Sequence, residues 1–304
     1  MELKLTFLGT GCSAPTRERN LTGIALHFKG KNYLFDCPEN AQQQMLRAKV
    51  SYMKIDSIFF SHFHADHFLG LPGLLATMNM FERDSPLKIF GPRGVHEMVQ
   101  RALKAALLRP NYEIKTSELK KGLVLKEKDF SISAFPLKHN TACYGFCFQE
   151  RGKKGKFLRK KAEALGIPPG PLYSKLQQGK KVKWKGKLIS PRQVMDYSKG
   201  KRGRKVCIVL DTLPRQGYVK HVKNADVLVH ESVFAADQKK RAKETFHCTA
   251  EQAAGIAKKA KVKKLVLTHF SMRYKRAKEL EIEARHVFPQ TIASRDLMEV
   301  KVPR

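Results

Sequence analysis

Apolar residues along this chain recur with two periods. In residues 3–8, 22–28, 32–36 and 55–61 they alternate or run on over strand-length stretches, broken by Gly9-Thr10-Gly11 and Lys29-Gly30-Lys31. This pattern predicts a β meander at the amino-terminal end. Over residues 39–48, 69–80 and 95–108 the period lengthens to that of a helix, and Val95, Met98, Val99, Ala102 and Leu103 fall on one face. Beyond residue 205, short apolar strands at 206–210, 227–229 and 265–268 alternate with amphipathic helices at 250–260 and 272–285. Two mixed halves of strands and helices are therefore expected. No short internal repeat is present, which excludes solenoids and propellers. No apolar run reaches 18 residues, and the opening Met1-Glu2-Leu3-Lys4-Leu5-Thr6-Phe7 alternates like a strand, so neither a membrane span nor a secretory signal is expected.

Composition changes this picture in one place. The 304 residues are 42% apolar, enough for a sizeable core, and carry a formal net charge of +32. Such a charge attracts polyanions, nucleic acid first and an anionic membrane surface second. Residues 151–205 hold 19 Lys or Arg against two acids, Glu163 and Asp196, and so carry +17 of the total. The same stretch contains the single Trp184 and Ile167-Pro168-Pro169-Gly170-Pro171, too stiff and too poor in amide donors for a helix or central strand. It reads as an inserted basic arm, partly ordered at best. The six cysteines at 12, 37, 143, 147, 207 and 248 form no Cys-x-x-Cys pair and read as reduced thiols of a cytoplasmic protein.

The chemistry concentrates at Ser61-His62-Phe63-His64-Ala65-Asp66-His67. Where the strand at 55–60 frays, His62 and His64 share a face while Asp66 and His67 turn back from the loop. Imidazoles with a carboxylate suit zinc, and four such groups so close together invite two ions. His139, Asp211 and His269 each end a strand-like run and, taken alone, read as ordinary strand-terminal polar residues. His247 precedes Thr249-Ala250-Glu251-Gln252, a capping box that fixes the loop at a helix start. His230 and Glu231 end the strand at 227–229, either as a strand-end pair without catalytic part or as part of the site.

The His-x-His-x-Asp-His run, with Phe7-Leu8-Gly9-Thr10-Gly11, Pro15-Thr16-Arg17-Glu18-Arg19-Asn20, Asp36-Cys37-Pro38-Glu39 and the Pro-Pro-Gly-Pro of the arm, resembles the metallo-β-lactamase superfamily. Within it, the order of these segments resembles the ribonuclease Z family of tRNA 3′-processing endonucleases over nearly the whole chain. The resemblance implies that His62, His64 and His139 hold one zinc and Asp66, His67 and His269 a second, with Asp211 bridging. Zinc brings the pKa of a bound water to about 7, and the resemblance makes Asp66 the proton acceptor for that water, though it could equally be only a ligand. His-Cys-Thr at 247–249 resembles the family's His-x-Thr loop, whose histidine is the general acid for the leaving 3′ oxygen, and Glu231 resembles the carboxylate that orients it. Pro38 and Leu210 stand where the family carries glycine.

The expectation is a mixed α/β chain folded as a four-layer αββα sandwich, one domain over residues 1–304 with the basic tRNA-binding arm at 151–205 inserted. Its function would be zinc-dependent hydrolysis of precursor tRNA near the 3′ end, releasing the trailer and leaving a 3′-hydroxyl. The resemblance implies a homodimer in which one subunit's arm grips the tRNA cut by the other. Two rivals are a hydrolase of the same fold acting on small esters or cyclic nucleotides, and a non-catalytic zinc protein that binds nucleic acid. The +17 arm argues against the first, and seven candidate ligands, which leave an open position, argue against the second.

Overall fold

Strand and helix signals of the sequence resolve, in a computed structural model that describes residues 2–304, into two compact units, 2–149 with Lys205–Arg304, and Glu150–Arg204. The larger unit begins with β1 (Leu3–Gly9), β2 (Gly23–Phe28) and β3 (Lys31–Phe35), followed by α1 (Ala41–Arg47). Then come β4 (Ile55–Phe59), α2 (Ala65–Phe68), α3 (Leu71–Met80), β5 (Leu87–Gly91), α4 (Val95–Ala105) and β6 (Ile114–Glu118). A second group, β7 (Gly122–Lys126), β8 (Phe130–Lys138) and β9 (Ala142–Glu150), leads to the arm. The arm contributes β10 (Lys156–Phe157), α5 (Arg159–Ala164), α6 (Pro171–Gln177), β11 (Val182–Trp184), β12 (Lys187–Ile189) and β13 (Met195–Asp196). The larger unit resumes with β14 (Lys205–Val209), α7 (Val219–Val222), β15 (Val227–Glu231), α8 (Lys239–Glu244) and α9 (Ala250–Lys259). It ends with β16 (Leu265–Thr268), α10 (Lys278–Val287), β17 (Thr291–Ala293) and β18 (Glu299–Lys301).

Two seven-stranded sheets form, in the orders β18-β1-β2-β3-β4-β5-β6 and β17-β16-β15-β14-β9-β8-β7. The first three strands are the antiparallel meander expected, but β4 joins β3 in parallel, because α1 crosses over between them. Between the sheets lies a layer rich in phenylalanine, with Phe28, Phe35, Phe59, Phe130, Phe146 and Phe148 all buried. Rings Phe59 and Phe90 stack at 4.9 Å and Phe28 meets Phe148 edge-on at 5.2 Å, contacts worth about 0.5–1.5 kcal/mol each beyond the area they bury. On the outer faces α1, α3 and α4 cover the first sheet, and α9 and α10 cover the second. The result is the four-layer αββα sandwich.

Several sequence expectations change. Strands β5, β6, β7, β9, β17 and β18 go beyond the sequence pattern, as does the part of β8 before residue 135; β6, β7 and β18 are short and mostly exposed, and β18 returns the chain's end to pair with β1. The helix expected at 272–285 starts only at Lys278. Cys147 and Cys207, directly opposed on the antiparallel neighbours β9 and β14, form a disulfide, which corrects the expectation of six reduced thiols. Strand register brings these two together and is invisible in the spacing of cysteines. The other four cysteines are free and buried.

The arm differs from the partly ordered segment that its composition suggests. A small core of Ala162, Ile167, Tyr173, Leu176, Val182, Ile189 and Val194 holds it together. Pro171 opens α6, a position where its missing amide costs nothing, so the proline-rich run does lead into a helix. Trp184 donates its indole N–H to Gly166 O at 2.8 Å. Lys185 and Gly186, both at positive φ, make the two-residue turn between β11 and β12. At its base Arg204 meets Glu150 through two nitrogens, at 2.8 and 3.0 Å, both side chains buried.

Candidate active site

Strands β8, β14, β15 and β16 of the second sheet, and β4 of the first, release the chain where the polar residues of the site begin. His62 and His64 follow β4, His139 follows β8, Asp211 lies just past β14, Glu231 ends β15 and His269 follows β16. Asp66 and His67 lie in α2, a single helical turn rather than the loop expected, and that turn swings both groups back toward His62. His269 sits at φ 60° and Asp36 at φ 57°, strained conformations for these residues that persist where the surroundings over-determine them.

All seven candidate ligands converge. His62, His64, His139 and Asp211 offer donor atoms within 4.8 Å of one another, as do His67, Asp211 and His269. His62 Nε2 is 2.9 Å from His64 Nδ1, which is 3.3 Å from His139 Nε2. The Asp211 carboxylate divides between the groups: Oδ2 is 3.7 Å from both His62 Nε2 and His139 Nε2, while Oδ1 is 3.4 Å from His67 Nε2 and 3.2 Å from His269 Nε2. Asp66 Oδ2 stands 3.6 Å from His67 Nε2 and accepts the Ser13 amide at 2.9 Å. Donors held about 2.0–2.2 Å from a tetrahedral ion lie roughly 3.3 Å apart, so these separations fit metal ligation without rearrangement. Three of the converging atoms, His67 Nε2, Asp211 Oδ1 and His269 Nε2, are buried with no hydrogen-bond partner, a costly arrangement that a cation relieves.

The opposite side of each ring explains why these atoms face inward. His67 Nδ1 donates to Asp36 Oδ2 at 2.6 Å, His269 Nδ1 to Thr22 Oγ1 at 2.9 Å, and His139 Nδ1 to Phe246 O at 3.3 Å. His62 Nδ1 donates to Ser61 Oγ at 2.9 Å, and that hydroxyl donates to Asp36 at 2.7 Å. Thr22 Oγ1 gives its own proton to Gly11 O. Each acceptor fixes a proton on Nδ1 and leaves the Nε2 lone pair free for a metal; only His64 turns its Nδ1 inward. Asp36, Ser61 and Thr22 were not picked out as site residues from sequence. Asp36 could have been, since a buried carboxylate at the end of β3 needs a partner.

Charge in the cluster is uneven. Burial pushes His62 and His139 below the usual imidazole range. It acts the same way on His67, but Asp211, Asp36 and Asp66 outweigh it and raise that ring to about 9; His269 is raised well above its ordinary value, burial being overcome by Asp211. Asp211 is held well below the carboxylate range, its burial overcome by His269, His67 and His62. Protons gather on His67 and His269, the two rings that face Asp211 Oδ1, and a divalent ion must displace them.

Beside the cluster, His247 Nδ1 lies 3.0 Å from Glu231 Oε1. Glu231 is fully buried and also accepts the amides of Thr212 at 2.8 Å and Cys248 at 3.0 Å. The Thr249–Gln252 capping box is present and pins the loop. Burial lowers the His247 pKa, but the Glu231 charge and hydrogen bond, with Asp211 beyond, raise it to about 9. Its ring stands 5.4 Å from His139 and 5.8 Å from His269, and lines a cavity of about 240 Å³ with Leu213, Arg215, Lys239 and Lys243. His230 is otherwise employed: wholly buried, it bonds Tyr218 Oη at 2.9 Å and the Glu231 carbonyl at 2.7 Å, as a core histidine does.

Known proteins resemble this chain over nearly its whole length. A family model described as Anti-Pycsar protein Apyc1 matches residues 3–154, a span that holds His62, His64, Asp66, His67 and His139 but ends near the start of the arm. Full-length relatives include ribonuclease Z of Methanosarcina acetivorans, 43% identical over 99% of this chain and 98% of its own. Ribonuclease Z of Archaeoglobus fulgidus is 44% identical over 99% and 98%. Among solved structures, human tRNase Z, short form, superposes with a TM-score of 0.73 at 27% identity, covering 99% of this chain and 100% of its own. YhfI of Bacillus subtilis, a metallo-β-lactamase fold protein, gives 0.72 at 19% identity over 99% of both chains, a likeness of fold.

Proposed function

The chain belongs to the ribonuclease Z family, with the metallo-β-lactamase fold, and from that premise we propose that it is an endoribonuclease that removes the 3′ trailer from precursor tRNA. The cut leaves a 3′-hydroxyl on the tRNA. Its His and Asp cluster holds divalent metal, which we assign as two zinc ions per chain, since imidazole and carboxylate donors suit zinc. His62, His64 and His139 would hold one ion and Asp66, His67 and His269 the other, with Asp211 shared between them. The observation that carries this reading is the divided Asp211 carboxylate with orphaned buried donors on one of its two sides.

Bound there, the metal pair supplies an acidified water and positive charge beside the phosphate. Asp66, its side chain 14% exposed, would accept the proton of the attacking water. His247, kept protonated at neutral pH by Glu231, donates to the leaving 3′ oxygen through Nε2, while Glu231 holds Nδ1 and so aims the ring. Arg215, Lys239 and Lys243 place cationic charge beside His247, on the side where the departing tRNA end must lie. The arm at 151–205, inserted into the single catalytic domain, grips phosphates of the tRNA and so orients one bond.

We further assign a cytoplasmic homodimer, one subunit's arm serving the other's site. Exposed Leu46, Leu69, Met80 and Phe81, on or beside α1, α2 and α3, support a partner surface. No helix of the described residues is long and apolar enough to cross a membrane. The test is incubation of the protein with a labelled precursor tRNA and with a small chromogenic phosphodiester, each with and without a chelator. Trailer release that the chelator stops is expected; hydrolysis of the small ester alone would replace this reading with that of a small-substrate hydrolase.

A further inference from the structure

Cys12 occupies a place that the seven assigned ligands do not explain. Its Sγ, a carboxylate oxygen of Asp66 and a ring nitrogen of His269 all lie within 4.8 Å of one another. His269 is wholly buried and its Nε2 has no hydrogen-bond partner, so an unsatisfied donor atom faces the space that the thiol also borders. The loop bearing Cys12 is fastened on three sides. Cys12 N bonds Phe270 O at 3.0 Å, Phe270 N bonds Thr10 O at 2.8 Å, and Ser13 N bonds the Asp66 carboxylate at 2.9 Å. Each tie joins it to a residue that is, or adjoins, an assigned ligand of the second metal position. Cys12 is itself buried, only 6% exposed, and its thiol otherwise meets the Ser13 hydroxyl at 3.2 Å.

We propose that Cys12 is a thiolate ligand of the second metal ion, beside Asp66 and His269. The proposal rests on the metal-centre assignment above and deepens it. As the ion binds, the thiol proton passes to solvent and a metal–sulfur bond forms, with no change of oxidation state. A thiolate softens this position relative to the His62, His64 and His139 site and favours zinc over magnesium, calcium or manganese there. The two ions of one centre then differ in chemistry: one is held by imidazoles and the Asp211 carboxylate, the other by a set that adds sulfur.

The test is to produce the full chain with cobalt in place of zinc, measure metal per chain by elemental analysis, and record the near-ultraviolet spectrum. A sulfur-to-cobalt charge-transfer band is expected in the wild type. Cys12→Ser and Cys12→Ala should lose it while still binding cobalt and keeping the wild-type melting temperature within a few degrees. Cobalt bound without the band overturns the proposal. So does a band that survives both substitutions, which would assign the sulfur to Cys37, Cys143 or Cys248. Should neither protein bind cobalt, the metal-centre assignment fails too, and elemental analysis tells that result from the others. If both variants melt early, cadmium-113 resonance of the wild type decides the matter: a shift in the thiolate range supports the bond and a shift typical of nitrogen and oxygen ligands alone refutes it.

Discussion

The metal cluster and the basic arm carry charge in opposite ways. In the cluster, every ring whose Nε2 faces inward has an acceptor on Nδ1, nearly everything is buried, and one carboxylate serves two groups. In the arm, Lys175, Lys180, Lys181, Lys183, Lys185 and Lys187 all lie exposed on a scaffold with a small core. Each cluster atom has one correct place and no substitute. Each arm lysine is one of many, and phosphate attraction depends on their number more than on any single position. Chemistry is thus concentrated where desolvation makes geometry decisive, and grip is spread where water screens each contribution.

The largest effects should come from the cluster. Asp211→Ala removes the shared carboxylate, so cleavage of precursor tRNA should be abolished and metal content should fall below one ion per chain by elemental analysis, with the circular dichroism spectrum unchanged. His64→Ala should likewise abolish activity. A variant whose rate fell only tenfold would break the contrast, since the cluster would then tolerate change as the arm does.

Next in size is the acid. His247→Ala should lower the cleavage rate by about 10²- to 10⁴-fold, as loss of a general acid does, with metal content and tRNA affinity nearly unchanged. The pH dependence follows from its raised pKa. A general acid works only while protonated, so wild-type turnover should fall as pH rises through about 9. Glu231→Gln removes the charge that sustains this value, and the falling limb should move toward the ordinary histidine range. An unmoved limb would show that Glu231 aims the ring without setting its charge.

How much of this was legible in the sequence depends on whether a signal is local. His62, His64, Asp66 and His67 are within six residues of one another, and the Thr249–Gln252 box is complete within four, so both could be read directly. His139, Asp211 and His269 looked like ordinary strand-terminal polar residues until the family's ligand pattern singled them out. Asp36, Ser61 and Thr22 act through the far side of a ring, and the Cys147–Cys207 bond depends on register between strands 60 residues apart; neither leaves a pattern in spacing. The arm's charge was plain, but its order was not. Its apolar residues are few and irregularly placed, and they form a core only when α5, α6 and the β11–β12 hairpin close together.

Removing the arm should cost binding more than chemistry. Lys153 and Lys201 exchange backbone hydrogen bonds of 2.9 Å in both directions, so residues 154–200 can be replaced by a Gly-Gly turn there without disturbing the Glu150–Arg204 pair. Affinity for tRNA should weaken, and the slope of log affinity against log salt should flatten by roughly 0.7 to 0.9 for each phosphate that the shortened chain no longer neutralises. Hydrolysis of a small chromogenic phosphodiester should stay within about tenfold of wild type, or roughly 1.4 kcal/mol in barrier. Unchanged tRNA affinity would make the arm a mere linker.

The smallest effect should come from one lysine. Lys181→Ala takes a single exposed charge from the residue before β11, so at saturating tRNA the turnover should not change. The salt slope should flatten by at most about 0.7 to 0.9, the share of one phosphate. Lys187 lies across the hairpin from Trp184, three residues further along the strand than Lys181, or about 10 Å at the usual rise per residue. That exceeds the Debye length of about 8 Å at physiological ionic strength, so the two charges should act independently, and the double variant should flatten the slope by the sum of the single changes. A double variant whose slope flattens by much more than that sum, or a single variant that slows turnover tenfold, would mean that these lysines hold one fixed geometry, as the residues of the metal cluster do.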